Sequence, residues 1–225
     1  MSRNTITLYH LSLLDLYEEL KARELNGFMV DDAFKNYQVI NAVFVKSILE
    51  VYTKKEVATE ELEVNAHGKP FLNPEIFNGL HFNKSNTKDH IVLAIAKFPL
   101  GIDLEPVRET FKESILKRIV HPEDHLKIES AAQFYQLWSI KEAFVKYIGT
   151  GLHVPLKEVM ISRIDGDFIE VKSSEQKAEI RSVEVVKDHV CYVASSNAFS
   201  AKIEVVDHTI SEQILIEQLR KSQEV

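Results

Sequence analysis

Residues 91–96 are apolar without interruption, Phe98-Pro99 turns the chain, and residues 100–104 follow before Pro106 stops them. So short an apolar run, bounded by turn residues, reads as a buried strand rather than a helix. The pattern predicts a strand pair, 91–96 with 100–104, at the centre of the chain, and such a pair needs helices to cover it. Helical spacing of Leu13, Leu16, Tyr17 and Leu20 predicts a helix over 11–25, with Ser12 as its N-cap, after a short strand at 5–8. A second helix, rich in Val, Ile and Phe, is expected over 32–52. Gly68, Pro70 and Pro74 mark 65–74 as loop. Beyond Pro106, helices are expected over 111–119 and 130–148, the longer one closed by Gly149 and Gly151. Strands follow near 159–164, 168–171, 178–186, 189–194 and 202–206, then a terminal helix over 210–219. Helices with a strand pair, then helices with a strand meander, predict an α+β fold of two similar halves, 1–106 and 107–225, meeting near Pro106.

Composition narrows the function classes. The 225 residues are 45% hydrophobic and 27% charged, the balance of a soluble globular protein, and no run approaches the ~20 apolar residues of a membrane span. The N-terminus shows no signal-peptide core. One cysteine, Cys191, rules out an internal disulfide and a thiolate zinc site, and fits a reducing, cytoplasmic compartment. Its apolar neighbours, 190–193, make it a buried strand residue rather than a reactive thiol. A net charge of −7 argues against nucleic-acid binding but not against an anionic small ligand, which a bound metal or local basic pocket can hold.

Two acidic features stand out. Asp103 and Glu105 are two apart on a strand and share one face, with Ile102 and Leu104 on the other. On spacing alone, a solvent-facing edge is the commoner explanation. On the long helix, Trp138, Glu142 and Lys146 recur at i, i+4, i+8 and form one stripe. Glu142 and Lys146 at that spacing are also a simple helix ion pair. Apolar residues on both flanks (Phe134, Leu137, Ile140, Phe144, Val145) imply that this helix is packed at an interface. Asp103, Glu105 and Glu142 together would make an all-oxygen site suited to magnesium.

The segments GKP (68–70), FNKSN (82–86), PLGIDLE (99–105) and LWSIKEAFVKYIGTGL (137–152) resemble the 4′-phosphopantetheinyl transferases, closest to the broad-specificity, monomeric double-domain type. The family signature is a G-I-D strand followed some forty residues on by W-S-x-K-E-x-x-x-K, and the resemblance covers roughly residues 60–160. It implies transfer of the phosphopantetheine arm of coenzyme A to a carrier-protein serine, at a site in the cleft between the halves. Asp103, Glu105 and Glu142 correspond to the ligands of magnesium, with manganese as the alternative ion. Lys146 corresponds to a phosphate-contacting lysine. Lys141 and Trp138 belong to the same motif, with Trp138 packing the helix. Gly68, Lys69 and Pro70 match the loop that receives the nucleotide end of coenzyme A, and Ser85 a position near its 3′-phosphate. The implied catalytic set is Asp103, Glu142 and Lys146, acting on an acyl, peptidyl or aryl carrier protein. The identity of the general base stays open.

The chain departs from the family pattern at the nucleotide end. Asn86, a neutral donor, stands where the family has a histidine, and Lys88 where glycine is usual. No upstream arginine aligns; Lys35 is nearest, with Asn36 and Gln38 beside it. Weaker coenzyme A binding, or a different set of anchors for the 3′-phosphate, is therefore expected. Of the nine histidines, only His121 and His125 stand at i, i+4, and a zinc pair there would need a third ligand. Glu123 follows the same turn and stands where the family often has another acidic residue, which implies a supporting role. Two other readings compete: a non-catalytic relative that binds coenzyme A or a carrier protein, and an unrelated metal-dependent phosphohydrolase, which has no reason to carry the W-S-x-K-E helix.

Overall fold

The computed structural model describes residues 4–22, 37–174 and 176–221. The fold is α+β, built on two stacked sheets with a helical layer outside each. The first sheet has the order β11-β1-β5-β4, with β1 (Thr5–Ser12), β4 (His81–Asn86), β5 (His90–Ala96) and β11 (Lys202–Val205). The second has the order β6-β10-β9-β8-β7, with β6 (Gly101–Pro106), β7 (Met160–Asp165), β8 (Phe168–Ser173), β9 (Gln176–Ser182) and β10 (His189–Ser195). The helices are α1 (Leu13–Ala22), α2 (Tyr37–Thr53), α3 (Glu113–Ile119), α4 (Ala131–Ile148) and α5 (His208–Lys221). None of them is long and apolar enough to cross a membrane.

The continuous apolar run of β5 now has its cause. Ile91, Leu93 and Ile95 join the core beneath α1, α2 and α5. Val92, Ala94 and Ala96 point the other way, into a core shared with Leu100, Ile102 and Leu104 of β6 and Cys191 and Val193 of β10. A strand with apolar layers on both faces loses polar alternation. A third core packs α4 against β8, β9 and β10.

The strand pair expected around Phe98-Pro99 does not form. β5 and β6 lie in different sheets, and the turn carries the chain from one to the other. The partner of β5 is instead β1, in antiparallel register from Thr7↔Ile95 to Ser12↔His90, which is why β1 runs to Ser12 rather than ending at Leu8. Ser12 caps α1 as expected, its Oγ accepting from Asp15 N at 3.3 Å. The loop over 65–74 is shorter than expected, because β3 (Pro70–Leu72) pairs with β2 (Leu62–Val64). The predicted start of the second helix, 32–36, and the end of the first, 23–25, lie outside the described residues.

Pro106 ends β6, but the sheets cross that boundary in both directions. β6 pairs with β10 in the second sheet, and β11 pairs in parallel with β1 in the first. The two halves are therefore interlocked along the sheets.

Candidate active site

Strand β6 and helix α4 meet at a contact so close that only glycine fits. A Cβ on Gly101 would stand 2.1 Å from Ala143 O and 2.3 Å from Tyr147 N. With Ile102 and Leu104 turned into the core between the sheets, strand alternation aims Asp103 and Glu105 at α4. The helix answers with the stripe Trp138, Glu142, Lys146. Its start is set by Ser130, which accepts from Gln133 N at 3.3 Å, and its end by Gly149 at φ 76°.

The result is a compact polar network. Asp103 is 3% exposed. Lys146 Nζ lies 2.7 Å from Asp103 Oδ1 and 3.0 Å from Ser85 Oγ, and Ser85 in turn donates to Asp103 Oδ1 at 3.0 Å. Lys146 therefore pairs across the cleft with Asp103. Glu105 Oε1 accepts from the Trp138 indole at 3.1 Å. Burial, and then the neighbouring Asp103 charge, push the pKa of both Glu105 and Glu142 up to about 7. Among the described residues, Asp103 Oδ2 is buried without a hydrogen-bond donor.

β4 closes the seam between the sheets. The Asn83 side chain accepts from Ile102 N at 2.8 Å, replacing a ladder bond that the unpaired edge of β6 would otherwise lack. The loop 65–70 forms the mouth. Asn65 Nδ2 donates to Gly149 O at 2.8 Å, while its Oδ1 accepts from the backbone of His67 and Lys69, both at 2.9 Å. Lys69 Nζ reaches Leu100 O, Lys146 O and Tyr147 O at 3.0, 2.6 and 3.3 Å. Burial pulls its pKa down to about 8, whereas these carbonyls, two of them at the negative end of α4, favour the ammonium. Its charge thus clamps the loop to the helix.

These residues enclose a cavity of about 450 Å³, lined among others by Gly68, Pro70, Lys84, Asn86, Glu105 and Glu142. A neighbouring cavity of about 580 Å³ shares Pro70, Lys84 and Asn86 with it and reaches Gln38 and Asn41 of α2. A larger one, about 770 Å³, is lined by Tyr52, Phe77 and Phe98 and contains no carboxylate.

Residues 99–194 match the model of the 4′-phosphopantetheinyl transferase superfamily. Over that segment the chain is similar to members of that superfamily. It is 30% identical over 138 residues to the 4′-phosphopantetheinyl transferase gsp of Aneurinibacillus migulanus, covering 58% of this chain and 56% of the relative. It is 29% identical over 155 residues to the 4′-phosphopantetheinyl transferase Sfp of Bacillus subtilis (strain 168), covering 65% and 68%. An L-aminoadipate-semialdehyde dehydrogenase-phosphopantetheinyl transferase of Candida glabrata is 28% identical over 136 residues, covering 54% and 53%. The chain thus spans about half the length of most of these relatives.

Every site residue expected of a phosphopantetheinyl transferase from the sequence lines the one cavity: Gly68, Lys69, Pro70, Ser85, Asn86, Asp103, Glu105, Glu142 and Lys146. Their neighbours modify the expectations. Ser85 is part of the Asp103–Lys146 network, and Trp138 bonds a carboxylate as well as packing near Phe134. Lys141 is elsewhere: fully buried, it donates to Asp124 Oδ2 at 2.6 Å and Ile119 O at 2.7 Å. Asn86 accepts from Asn41 Nδ2 at 3.4 Å, while Lys88 is exposed and Lys35 and Asn36 lie outside the described residues. His121 Nδ1 accepts from Glu123 N in a turn, and among the described residues no close group of three metal-ligating side chains includes His121 or His125. Sequence reasoning missed Asp124, Asn83, Lys84 and Asn41. Lys84 was visible within FNKSN, but only the fold reveals that it lines the cavity, its pKa lowered by burial and then by Lys146.

The donor set fits magnesium. Three carboxylates, one with an orphaned buried oxygen and two raised to about 7 by burial and then by the Asp103 charge, suit a hard cation with oxygen preference.

Proposed function

We propose that this protein transfers the 4′-phosphopantetheine arm of coenzyme A to a serine hydroxyl of an apo carrier protein, releasing 3′,5′-ADP. The observation that carries the reading is the convergence of Asp103, Glu105, Glu142 and Lys146 from β6 and α4 on one cavity. The similar bacterial proteins, themselves 4′-phosphopantetheinyl transferases, support the same chemistry. Asp103, Glu105 and Glu142 would hold a magnesium ion, which when bound neutralises negative charge on the pyrophosphate.

The chain's own residues account for the rest. Lys146 and Lys84 bring positive charge to where the pyrophosphate must lie, inside a partly buried cleft where such charge acts strongly. Ser85 and Asp103 hold the Lys146 ammonium in place. Trp138 fixes the Glu105 carboxylate. The serine oxygen of the partner forms the new bond to phosphorus, and the bond to 3′,5′-ADP breaks. A base at the cleft takes the serine proton; the raised values of Glu105 and Glu142 describe the cleft without a cation, and a bound cation would hold both carboxylates ionised. Lys69 serves the donor indirectly, by fixing the loop 65–70.

The carrier protein is met at the cleft mouth through local contacts, since a net charge of −7 offers no long-range steering to an acidic partner. We place the enzyme in the cytoplasm as a monomer; buried Cys191, whose thiol pKa burial pushes up, is in keeping with a reducing compartment. Incubation with coenzyme A, magnesium and apo carrier proteins tests the reading by the mass gained by the carrier. Tight coenzyme A binding with no gain on any carrier would favour the non-catalytic reading, which Asn86 and the engaged Lys69 ammonium make specific.

A further inference from the structure

A second group of metal-ligating side chains stands on the outer helical layer. Asp15 lies in the first turn of α1, His208 begins α5, and Glu212 follows one helical turn later. Residues four apart on a helix share a face, so His208 and Glu212 present their side chains together. The ligand atoms of Asp15, His208 and Glu212 all lie within 4.8 Å of one another. Among the described residues this is the one such group, and the cleft carboxylates do not draw together as closely.

Glu212 supplies an independent observation. It is 9% exposed, and its Oε1 is buried without a hydrogen-bond partner. A carboxylate oxygen left so costs stability unless something positive meets it. Burial raises the Glu212 pKa first; Asp15, Glu19 and Asp207 raise it further, and His208 lowers it. Behind the group, His10 Nε2 lies 3.1 Å from His90 Nδ1, and His189 stands edge-on to His90 at 5.1 Å. The His10 ring is 6.2 Å from that of His208, and burial and its histidine neighbours hold His10 in the neutral form.

We propose that Asp15, His208 and Glu212 bind a divalent transition-metal ion, zinc by ligand chemistry, at a site separate from the cleft. One imidazole with two carboxylates suits zinc, and three protein ligands leave a fourth position for water. Magnesium prefers six oxygens and is disfavoured by the imidazole. Zinc needs ligand atoms about 3.3 Å apart, from bonds of about 2.0–2.2 Å. Asp15 and His208, both exposed, can rotate to close that gap around the fixed Glu212. The ion would tie α5 to the start of α1, joining the last helix to the first.

Calorimetric titration of the chelator-stripped full chain with zinc chloride, in excess magnesium, tests this. One zinc per chain is expected, with a thermal midpoint that rises with zinc concentration. Asp15→Asn and Glu212→Gln should each weaken zinc binding by about tenfold or more. The exposed Asp15→Asn change keeps the test valid if Glu212→Gln disturbs α5. A Glu105→Gln, Glu142→Gln double variant should still bind one zinc. Absence of zinc binding in the parent, unchanged affinity in Asp15→Asn, or loss of zinc in the double variant alone would each overturn the proposal.

Discussion

Lys141 and Lys146 lie on one helix, little more than a turn apart, and each holds an aspartate, at 2.6 and 2.7 Å. Their surroundings make them opposite devices. The Lys141 side chain is 0% exposed and that of Asp124 3%; the other Asp124 oxygen accepts from Ile161 N, and His121 N also donates to the carboxylate. Every group there has a partner, and the ion pair fastens α4 to the turn after α3. The Lys146 side chain is 25% exposed, and Asp103 keeps one buried oxygen without a donor. The first pair is closed and structural. The second is incomplete, which is what a site awaiting a ligand requires.

The largest effect expected is on the open side. Asp103→Ala should abolish transfer, a loss of about 10³-fold or more in kcat/KM, while the circular-dichroism spectrum stays native. Full activity in that variant would remove the cleft from the reaction. On the closed side, Lys141→Met leaves the Asp124 carboxylate buried without its cation and should cost about 3–5 kcal/mol in denaturant unfolding. Lys146→Met sharpens the contrast by crossing it: less stability lost than in Lys141→Met, more activity lost. Equal stability losses for the two lysines would erase the distinction.

The same contrast explains what the sequence could convey. Strand alternation placed Asp103 and Glu105 on one face, and helical spacing put Glu142 in line with Trp138 and Lys146, because both signals are local. The pairing of β5 was not local. Its apolar run is equally consistent with a hairpin to β6 or a place between two cores, and the decision belongs to β1, some eighty residues away. Lys141 and Lys146 likewise look alike in WSIKEAFVK. Helix geometry turns them apart, and only packing decides which meets a buried aspartate. Asp124 carried no periodic signal, and the His208–Glu212 stripe becomes a cluster only when α5 docks on β1 and comes near Asp15.

A smaller effect separates the two sides by pH. Glu105 and Glu142 have folded pKa values of about 7, above the ordinary 4.5, so the folded state holds protons that the unfolded chain releases. Stability of the magnesium-free protein should therefore fall as pH rises from about 4.5 to about 7, so far as these two groups are concerned, and level off above. Thermal midpoints across that range should show the slope, and Glu142→Gln should reduce it. Added magnesium should restore stability most above pH 7, where the carboxylates are ionised and free to bind. A slope unchanged in Glu142→Gln would assign the effect to other groups.

The finest test concerns a single hydrogen bond. Trp138→Phe keeps an aromatic ring beside Phe134 but removes the indole N–H that Glu105 Oε1 accepts at 3.1 Å. That bond favours the ionised carboxylate, opposing the burial that raises the Glu105 pKa. Without it the pKa should move further above 7, and magnesium must displace a more tightly held proton. The acid limb of the kcat/KM profile should shift to higher pH, with activity at its plateau reduced only a few-fold, since a bond to a charged group is worth about 1.5–3 kcal/mol and much of that returns once the cation is bound. Unfolding midpoints should hardly change, because the ring still fills its place. A uniform loss of activity at every pH would instead mean that Trp138 acts through substrate contact, and the role of the indole in setting the carboxylate would be wrong.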